Sequence, residues 1–494
     1  MRAAKMLSTS LTTQAANSVP PAISSRDDWV LENEKDACKA EPQHAPARQS
    51  TKQELTVHIS FQRPPLIIII IIIIIIIIII IIIIIIIIIM STSAGKARIL
   101  QKNDNDVVIV AAYRTAVTKA RKGGFKDTLP EEILSAVLRA AYEKVKLDPK
   151  LIEDVAVGNV LPPGGGSTAA RMAALAAGIP NTTAVNTVNR QCSSGLTSVN
   201  QIAMEIATGE IDIGIGAGVE SMTHGYGPSA RPARYSDKIL ETQEAEDCLI
   251  PMGITSENVA KEFNITREVQ DAFAAESFRR AAAAQKAGKF VSEIVPVTVK
   301  QIDPKTEEER EVVVDSDDGI RDGVTAASLA KLKPAFSKDG STHAGNASQV
   351  SDGAAAVLLV RRSVANRLGL PILGKFVTAA VVGVPPRIMG VGPAFAIPKV
   401  LSKAGLSKDD VDFYEINEAF ASQAVFSIQQ IGIPFEKVNL RGGAIAIGHP
   451  LGCTGSRQIA TAYPIAKETG AKIFVTSMCI GSGMGMAAIF TNEQ

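Results

Sequence analysis

A repeated pattern of strand, tight turn and helix is the feature that most constrains the fold of this chain. Segment 153–159 parallels segment 409–417, and both read as strands. A glycine-bearing cysteine turn that opens a helix follows each one, at Cys192 and at Cys453, and a further apolar strand comes next. Because order and spacing agree within several residues, we interpret the chain as two packed copies of one α/β unit. Alternating strands and helices favour a parallel, helix-covered sheet.

This pattern predicts an extension, two halves and an insert. We expect residues 1–105 to form a disordered extension. The first half covers residues 106–221 with about 349–371, the second covers 372–494, and residues 222–348 form an inserted loop domain. A chain of 494 residues is long enough for two or three domains with full cores.

Composition excludes several classes of protein. The formal net charge is +1, so nothing in the overall charge indicates a nucleic-acid partner. Five cysteines without Cys-x-x-Cys spacing indicate neither a disulfide framework nor a zinc site. We therefore expect no metal, and a reducing compartment. The charged stretch 305–311 is typical of a solvated hairpin.

The extension contains an unbroken isoleucine run from Ile67 to Ile89. Its length and polarity match a membrane span, although natural spans mix residue types and carry interfacial aromatic residues. Met90 follows directly and would serve as a start of translation. Two interpretations stay open, a translated simple repeat or a hydrophobic anchor. A membrane partner is expected only if the run is present and inserted.

Cys192 follows a predicted strand and precedes a helix whose apolar face is built from Leu196, Val199, Ala203 and Ile206. The exposed N–H groups and the dipole at a helix start stabilise a thiolate, so we expect a lowered pKa for Cys192. The small residues after it would let a ligand approach the backbone. We predict that Cys192 is a nucleophile, with a buried core cysteine as the alternative.

His449 lies in a turn fixed by glycines on both sides and by Pro450. Such a turn holds an imidazole rigidly, and we predict that His449 acts beside a thiol. The alternative is a structural histidine. Cys453, four residues on, is interpreted as a residue that begins a helix.

Cys479 ends a buried strand and leads into a glycine-rich loop that offers backbone N–H groups to an oxyanion. A phosphate-binding loop is the weaker interpretation, because no Walker lysine follows. Asn417 stands between a strand and a helix. Its side chain would cap that helix, act as an active-site amide, or do both.

Four segments together resemble the thiolase family: 189–195, 417–421, 448–455 and 479–485. They occur in the family's order, and the resemblance extends from residue 106 to the C-terminus. It implies duplicated α/β halves with mixed sheets in an α-β-α-β-α arrangement, plus an inserted loop domain. Within the family the chain is most similar to the 3-ketoacyl-CoA thiolases of peroxisomal fatty-acid oxidation.

The resemblance also implies roles for the four side chains. Cys192 would attack the 3-keto carbon and carry the acyl group, and His449 would activate Cys192. Asn417 would hold a water at the enolate oxyanion site, and Cys479 would act as the acid–base thiol. The backbone N–H groups of Cys192 and Gly481 would form the second oxyanion hole.

Further residues match positions that bind coenzyme A (CoA) in the family. Ala344 and Ser348 would contact the pantetheine arm. The other matches would contact the nucleotide end (Arg321, Ser328 and Phe336) or line the pocket wall (Met252, Met389 and Phe420). His343 departs from the family's usual Thr, and this puts the local CoA geometry in question.

The resemblance implies no permanently bound cofactor, CoA as co-substrate, a homodimer and a peroxisomal location. The sequence shows no clear peroxisomal targeting signal, so mitochondrial and cytosolic locations stay open. Three alternative functions also stay open. They are an acetoacetyl-CoA thiolase working in the biosynthetic direction, a condensing enzyme of the same fold, and a non-catalytic acyl-CoA-binding protein.

Overall fold

A computed structural model of the chain describes residues 66–227, 230, 232, 234–303 and 305–494. The expected extension over residues 1–65 lies outside the described residues. The chain divides into two compact units, Met1–Ile72 and Ile73–Gln494.

The isoleucine run forms a helix rather than the disordered segment expected from the sequence. The helix α1 spans Leu66–Leu100. No Gly or Pro interrupts it before Gly95, so the backbone satisfies its own hydrogen bonds despite the lower helix propensity of isoleucine. Its last turn is anchored by Ile99, which is 5% exposed, and by Arg98, whose Nη2 donates to Ala404 O at 3.0 Å. Among the residues whose side chains the structure describes, no helix is long and apolar enough to cross a membrane.

Ten strands form one mixed sheet in the order β10-β11-β12-β9-β1-β8-β5-β3-β4, with β2 paired to β8. The pairs β3–β4, β3–β5 and β10–β11 are parallel, and the other pairs are antiparallel. The two halves of the sheet meet at β1 and β9 through only Val108↔Lys375 and Ile109↔Gly374. A separate hairpin pairs β6 with β7. The strands are β1 (Val107–Arg114), β2 (Thr118–Lys119), β3 (Asp154–Gly158), β4 (Ala184–Val188), β5 (Ile213–Ser221), β6 (Val297–Ile302), β7 (Glu309–Val314), β8 (Ser351–Arg361), β9 (Gly374–Gly383), β10 (Phe413–Ile416), β11 (Ile473–Ile480) and β12 (Met484–Asn492).

Helices cover the outer faces of both halves of the sheet, and two helices pack between their inner faces. After α1 they are α2 (Pro130–Glu143), α3 (Ser167–Ala176), α4 (Ser194–Thr208), α5 (Met222–Gly225), α6 (Asp237–Leu240), α7 (Gln243–Asp247), α8 (Met252–Glu262), α9 (Arg267–Lys286), α10 (Ala326–Leu329), α11 (Arg362–Leu368), α12 (Gly392–Ala404), α13 (Ala421–Ile431), α14 (Ala444–Ile447) and α15 (Thr454–Thr469). Residues 305–311, the charged stretch, are exposed. Residues 305–308 lie in the turn of the β6–β7 hairpin, and residues 309–311 begin β7. The predicted solvated hairpin is confirmed.

Alternate residues of each strand face different layers. On β1, Val108 and Val110 pack with α2 and α3, while Val107 and Ile109 pack with α4 and α15. On β11, Phe474 packs into the same central layer, while Val475 packs outward with α12 and α13. This period of two is expected of strands buried on both faces. The result is five layers, α-β-α-β-α, with α4 and α15 in the middle.

The two central helices cross at glycines. A Cβ added to Gly455 would lie 2.2 Å from the Leu196 amide nitrogen, and one added to Gly195 would lie 2.6 Å from Gly452 O. Ser456 Oγ donates to Gly195 O at 2.9 Å across the same crossing. Side chains at these glycines would force the helices apart. The crossing therefore brings the N-terminal ends of α4 and α15, and the loops before them, into contact.

We predict that Gly455→Ala destabilises the fold by about 1–3 kcal/mol, because the new methyl group meets backbone that cannot retreat without moving α4. Urea unfolding would measure the loss. The matched control is Gly383→Ala, since a Cβ at Gly383 meets nothing within 4 Å. Equal midpoints for the two variants would contradict the close crossing.

Candidate active site

The four predicted catalytic side chains come from different elements that end near the glycine crossing. Cys192 lies just before Ser193, the N-cap of α4, and His449 lies in the loop between α14 and α15. Cys479 is the penultimate residue of β11, and Asn417 directly follows β10. The first half of the chain thus contributes Cys192, and the second half contributes the other three side chains.

Cys192 is partly exposed and stands in a strained turn. The preceding residue, Gln191, has a φ of 47°, and its amide donates to Asn189 Oδ1 at 2.9 Å. Burial raises the pKa of Cys192 to about 11, while the amide N–H groups of Gly481 and of Cys192 itself oppose the shift. The direction is opposite to the lowered pKa that we expected, because desolvation of the thiolate outweighs the amide donors although the side chain is partly exposed. At rest Cys192 is a neutral thiol.

His449 is held in a single tautomer by Thr454. Its Nδ1 lies 2.6 Å from Thr454 Oγ1, and that hydroxyl donates to Pro450 O at 3.1 Å. Because the single hydroxyl hydrogen is used there, Nδ1–H donates to Thr454 and Nε2 is free to accept a proton. Burial lowers the pKa of His449 to about 3, and the positive charge of Arg457 acts in the same direction. His449 is therefore neutral and basic at Nε2.

Asn417 lies beside that nitrogen, with Nδ2 at 3.4 Å from His449 Nε2. Its backbone is fixed by its N–H, which donates to Ser477 O at 2.8 Å, and by its carbonyl, which accepts from Gln423 Nε2 at 2.8 Å. Asn417 does not cap the helix that follows, since the N-cap of α13 is Phe420. Its Oδ1 is buried with no partner within the described part of the chain. A buried polar atom of this kind indicates a place for a water or a ligand atom.

Cys479 is fully buried, and burial raises its pKa far above the usual thiol range, with the nearby Cys192 adding to the shift. The two thiols are thus close enough to interact electrostatically. Cys479 belongs to a small apolar cluster that includes Met389 and Phe420, with Met252 packed against it. The structure brings these three predicted pocket-wall residues next to Cys479.

Phe336 lies on the same side as the pocket wall. Its ring contacts Phe420 edge to face, with the centroids 6.4 Å apart, and it covers Gly253, where a Cβ would come within 2.2 Å of the ring. Ser348 is held next to this wall, because its N–H donates to Ala419 O at 3.0 Å.

The remaining predicted CoA contacts lie on the surface of the insert. Ala344 is exposed, Arg321 stacks over Phe278 at 4.8 Å, and Ser328 closes a capping box with Thr325. A surface groove of about 450 Å³ between α2, α3 and β6 contains none of the predicted residues.

His343 is buried and bonded within the insert. Its Nε2 lies 2.7 Å from Asp271 Oδ1, and its Nδ1 accepts from the Gly345 amide at 3.0 Å. Asn346 Nδ2 also donates to Asp271 Oδ1, at 3.0 Å. The departure from the usual Thr therefore ties the loop before Ser348 to α9.

Sequence reasoning missed two residues at this place, Thr454 and Glu220. Thr454 stands in the His449 segment, where only Cys453 was weighed; Cys453 is the N-cap of α15, as predicted. Glu220 is fully buried near the end of β5. The sequence pattern that could have indicated Glu220 is an acidic residue near the end of a glycine-rich apolar strand.

Comparisons with known proteins agree with this geometry. The family model of the thiolase N-terminal domain matches residues 107–363, and that of the thiolase C-terminal domain matches residues 370–492. The peroxisomal 3-ketoacyl-CoA thiolase of Yarrowia lipolytica is 60% identical over 399 residues, which are 81% of this chain and 96% of that protein.

Solved structures give the same result. The dimeric peroxisomal thiolase of Saccharomyces cerevisiae is 52% identical with a TM-score of 0.75, and the match covers 80% of this chain and 100% of that one. A second structure, of the peroxisomal 3-ketoacyl-CoA thiolase of the same organism, is 47% identical with a TM-score of 0.66 over 80% of this chain and 100% of that one; it is described as five-layered, from two core domains of identical topology. Two thiols, an imidazole and an amide brought together at a glycine crossing, on a five-layered duplicated fold, accord with these matches: the chain belongs to the thiolase family.

Proposed function

We propose that this chain is a peroxisomal 3-ketoacyl-CoA thiolase. It cleaves 3-ketoacyl-CoA with free CoA and yields acetyl-CoA and a shortened acyl-CoA, as a step of fatty-acid β-oxidation. The observation that carries the proposal is that the loops of the reacting groups meet at the glycine crossing. The Gly481 amide, two residues after Cys479, faces the Cys192 thiol, and the loop of His449 packs through Gly452 against Gly195 of α4. Acyl transfer with carbon–carbon cleavage needs this set, a nucleophile, its base and a separate proton donor.

In the first half-reaction the Cys192 thiol attacks the 3-keto carbon and its proton passes to His449 Nε2. The resulting oxyanion is stabilised by the amide N–H groups of Cys192 and Gly481, the donors that already face the thiol. The bond between C2 and C3 then breaks, the acyl group stays on Cys192, and the enolate of acetyl-CoA takes a proton from Cys479.

In the second half-reaction the Cys479 thiolate removes the proton from the thiol of incoming CoA. The CoA thiolate attacks the acyl thioester, and Cys192 leaves with the proton that His449 holds. The enolate oxygen formed during cleavage is placed between His449 Nε2 and a water bound by Asn417, whose Oδ1 lacks a protein partner in the described residues.

The CoA substrate is proposed to lie along the insert, with its reactive end at the wall of Met252, Met389 and Phe420. Ser348 and Ala344 would contact the pantetheine arm, and Arg321 and Ser328 the nucleotide end. Phe336, expected at the nucleotide end, packs against Phe420 and would contact the substrate near the pocket wall instead. The division into residues 106–221 with about 349–371, 222–348 and 372–494 is kept as part of this proposal.

A homodimer is proposed as the working form. The edge strand β4 has partly exposed residues, from Val185 to Val188, and an unpaired side that can accept a further strand. The opposite edge, β10, is buried.

The presence of Cys479 argues against a condensing enzyme of the same fold, which lacks the second thiol. The complete catalytic set argues against a non-catalytic acyl-CoA-binding protein. An acetoacetyl-CoA thiolase is the alternative that differs only in chain length.

We predict turnover of 3-ketoacyl-CoA substrates well beyond four carbons. A series of chain lengths, followed by loss of the 3-ketoacyl-CoA absorbance at fixed CoA, gives kcat/KM for each. Turnover of acetoacetyl-CoA alone would assign the chain to the alternative.

Removing the two thiols separates the half-reactions. We predict that Cys192→Ala lowers thiolysis by at least about 10⁴-fold and abolishes acyl-enzyme formation. Cys479→Ala should still acquire an acyl group from acyl-CoA, detected by mass spectrometry, and yet fail to cleave 3-ketoacyl-CoA. Equal loss of both half-reactions in Cys479→Ala would contradict its acid–base role.

The raised pKa of Cys192 and the lowered pKa of His449 predict a neutral resting pair. Because the thiolate fraction then grows about tenfold per pH unit, the rate of iodoacetamide alkylation should rise steadily from about pH 6 to about pH 9. The modified site is identified by mass spectrometry, with Cys479→Ala as the control for the second thiol. A rate that levels off near neutral pH would indicate an ion pair instead.

A further inference from the structure

Glu220 is a buried carboxylate that the proposed reaction does not use. It is 0% exposed near the end of β5, and within the described part of the chain no Lys or Arg forms an ion pair with it. Its partners are backbone amides instead. Leu161 N–H donates to Oε1 at 3.1 Å, Gly452 N–H donates to Oε2 at 3.0 Å, and the Val160 amide also bonds to it.

These amides belong to the loop after β3, which supports the Cys192 turn through Asn189, and to the loop that carries His449. Val160 O accepts from Asn189 Nδ2 at 3.2 Å, and Asn189 Oδ1 accepts from the Gln191 amide at 2.9 Å, one residue before Cys192. Gly452 lies on the other loop, three residues after His449. The Glu220 carboxylate therefore binds both the loop that supports the Cys192 turn and the loop that carries His449.

The turn at Gly452 fits into a narrow slot of the first half. A Cβ on Gly452 would lie 2.6 Å from Asn159 Cα and 2.7 Å from Val219 O, and one on Gly218 would lie 2.2 Å from Gly452 O. Because backbone closes this slot, the Gly452 amide depends on Glu220 for its hydrogen bond, and an unpaired buried amide is destabilising.

We propose that Glu220 is a positioning residue of the thiolase reaction. Its carboxylate fixes the separation of Cys192 and His449 by accepting amide hydrogen bonds from the loop that supports the Cys192 turn and from the loop that carries His449. This inference rests on the proposed function. It assigns to Glu220 no contact with substrate.

The charge of Glu220 matters because its partners are donors only. A protonated carboxyl would turn an O–H towards an amide N–H and lose an acceptor. Burial raises the pKa of Glu220 to about 7, and the negative charge of Asp352 on β8 adds to the shift. The other titratable groups that interact with it are the neutral thiols of Cys192 and of Cys453 at the start of α15. Since the carboxylate is lost as pH falls through about 7, kcat should fall on the acid side of that value.

The test is Glu220→Gln in the full chain, which keeps the shape but places an NH₂ against an amide donor. We expect kcat to fall about 10–100-fold with KM changed less than about threefold, because a small displacement of reacting groups is costly. The fall in kcat below about pH 7, called the acid limb of the pH profile, should disappear. A merely structural role would lower the midpoint of thermal unfolding and leave the limb in place.

The matched control is Asp352→Asn. Asp352 is also fully buried and adjoins Glu220, but it binds Ser221 and Thr223 and neither catalytic loop. It should retain the wild-type kcat at neutral pH. The fall in kcat on the acid side should persist but move to lower pH, because the negative charge of Asp352 no longer raises the pKa of Glu220. Wild-type kcat and an intact limb in Glu220→Gln would overturn the inference, whereas a wild type without thiolysis at any chain length would overturn the proposed function.

If Glu220→Gln is not recovered folded, Glu220→Asp replaces it. This variant keeps the charge but withdraws the oxygens by one methylene, so kcat should fall while the acid limb persists. Unchanged kcat in Glu220→Asp would overturn the inference.

Discussion

The approach of α4 to α15 at Gly195 and Gly455 is the constraint on which the rest of the structure depends. It sets the thickness of the central layer and hence the separation of the two halves of the sheet. It also places two helix starts side by side, so that loops from distant parts of the sequence meet. The direct pairing between the halves is slight, two residue pairs between β1 and β9, so packing through the central layer holds them together.

Cys192 and His449 are both uncharged before substrate binds. Burial acts in opposite directions on an acid and a base: it raises the pKa of Cys192 and lowers that of His449. Both shifts favour the uncharged forms. The proton can then move as the substrate carbonyl becomes an oxyanion, where the amide of Gly481 is already in place. Charge appears only where donors have been arranged for it.

Local chemistry in the sequence predicted the elements and the reacting side chains, because turns rich in small residues are visible without knowledge of packing. Cys192, His449 and Cys479 were proposed in this way, and their catalytic roles stay a prediction. Long-range packing was not visible. The sequence placed Cys192 at a helix start, yet could not reveal the burial that reverses the sign of its pKa shift. Nor could it show which amide groups donate hydrogen bonds to Glu220, since Gly452 lies more than two hundred residues away from it in the sequence. The run Ile67–Ile89 was expected to lie in a disordered extension or to serve as a hydrophobic anchor, and the structure places it in the helix α1.

The slot that holds Gly452 bears on how the two halves diverged. When α4 and α15 are aligned by their first residues, Ser194 and Thr454, the position equivalent to Cys192 is Gly452 rather than Cys453. A side chain at Gly452 would collide with Asn159 and Val219. The second copy therefore cannot carry a nucleophile at the matching position and still dock against the first. The close contact between the two halves thus leaves room for a nucleophile at only one of the two equivalent positions, the one that Cys192 occupies.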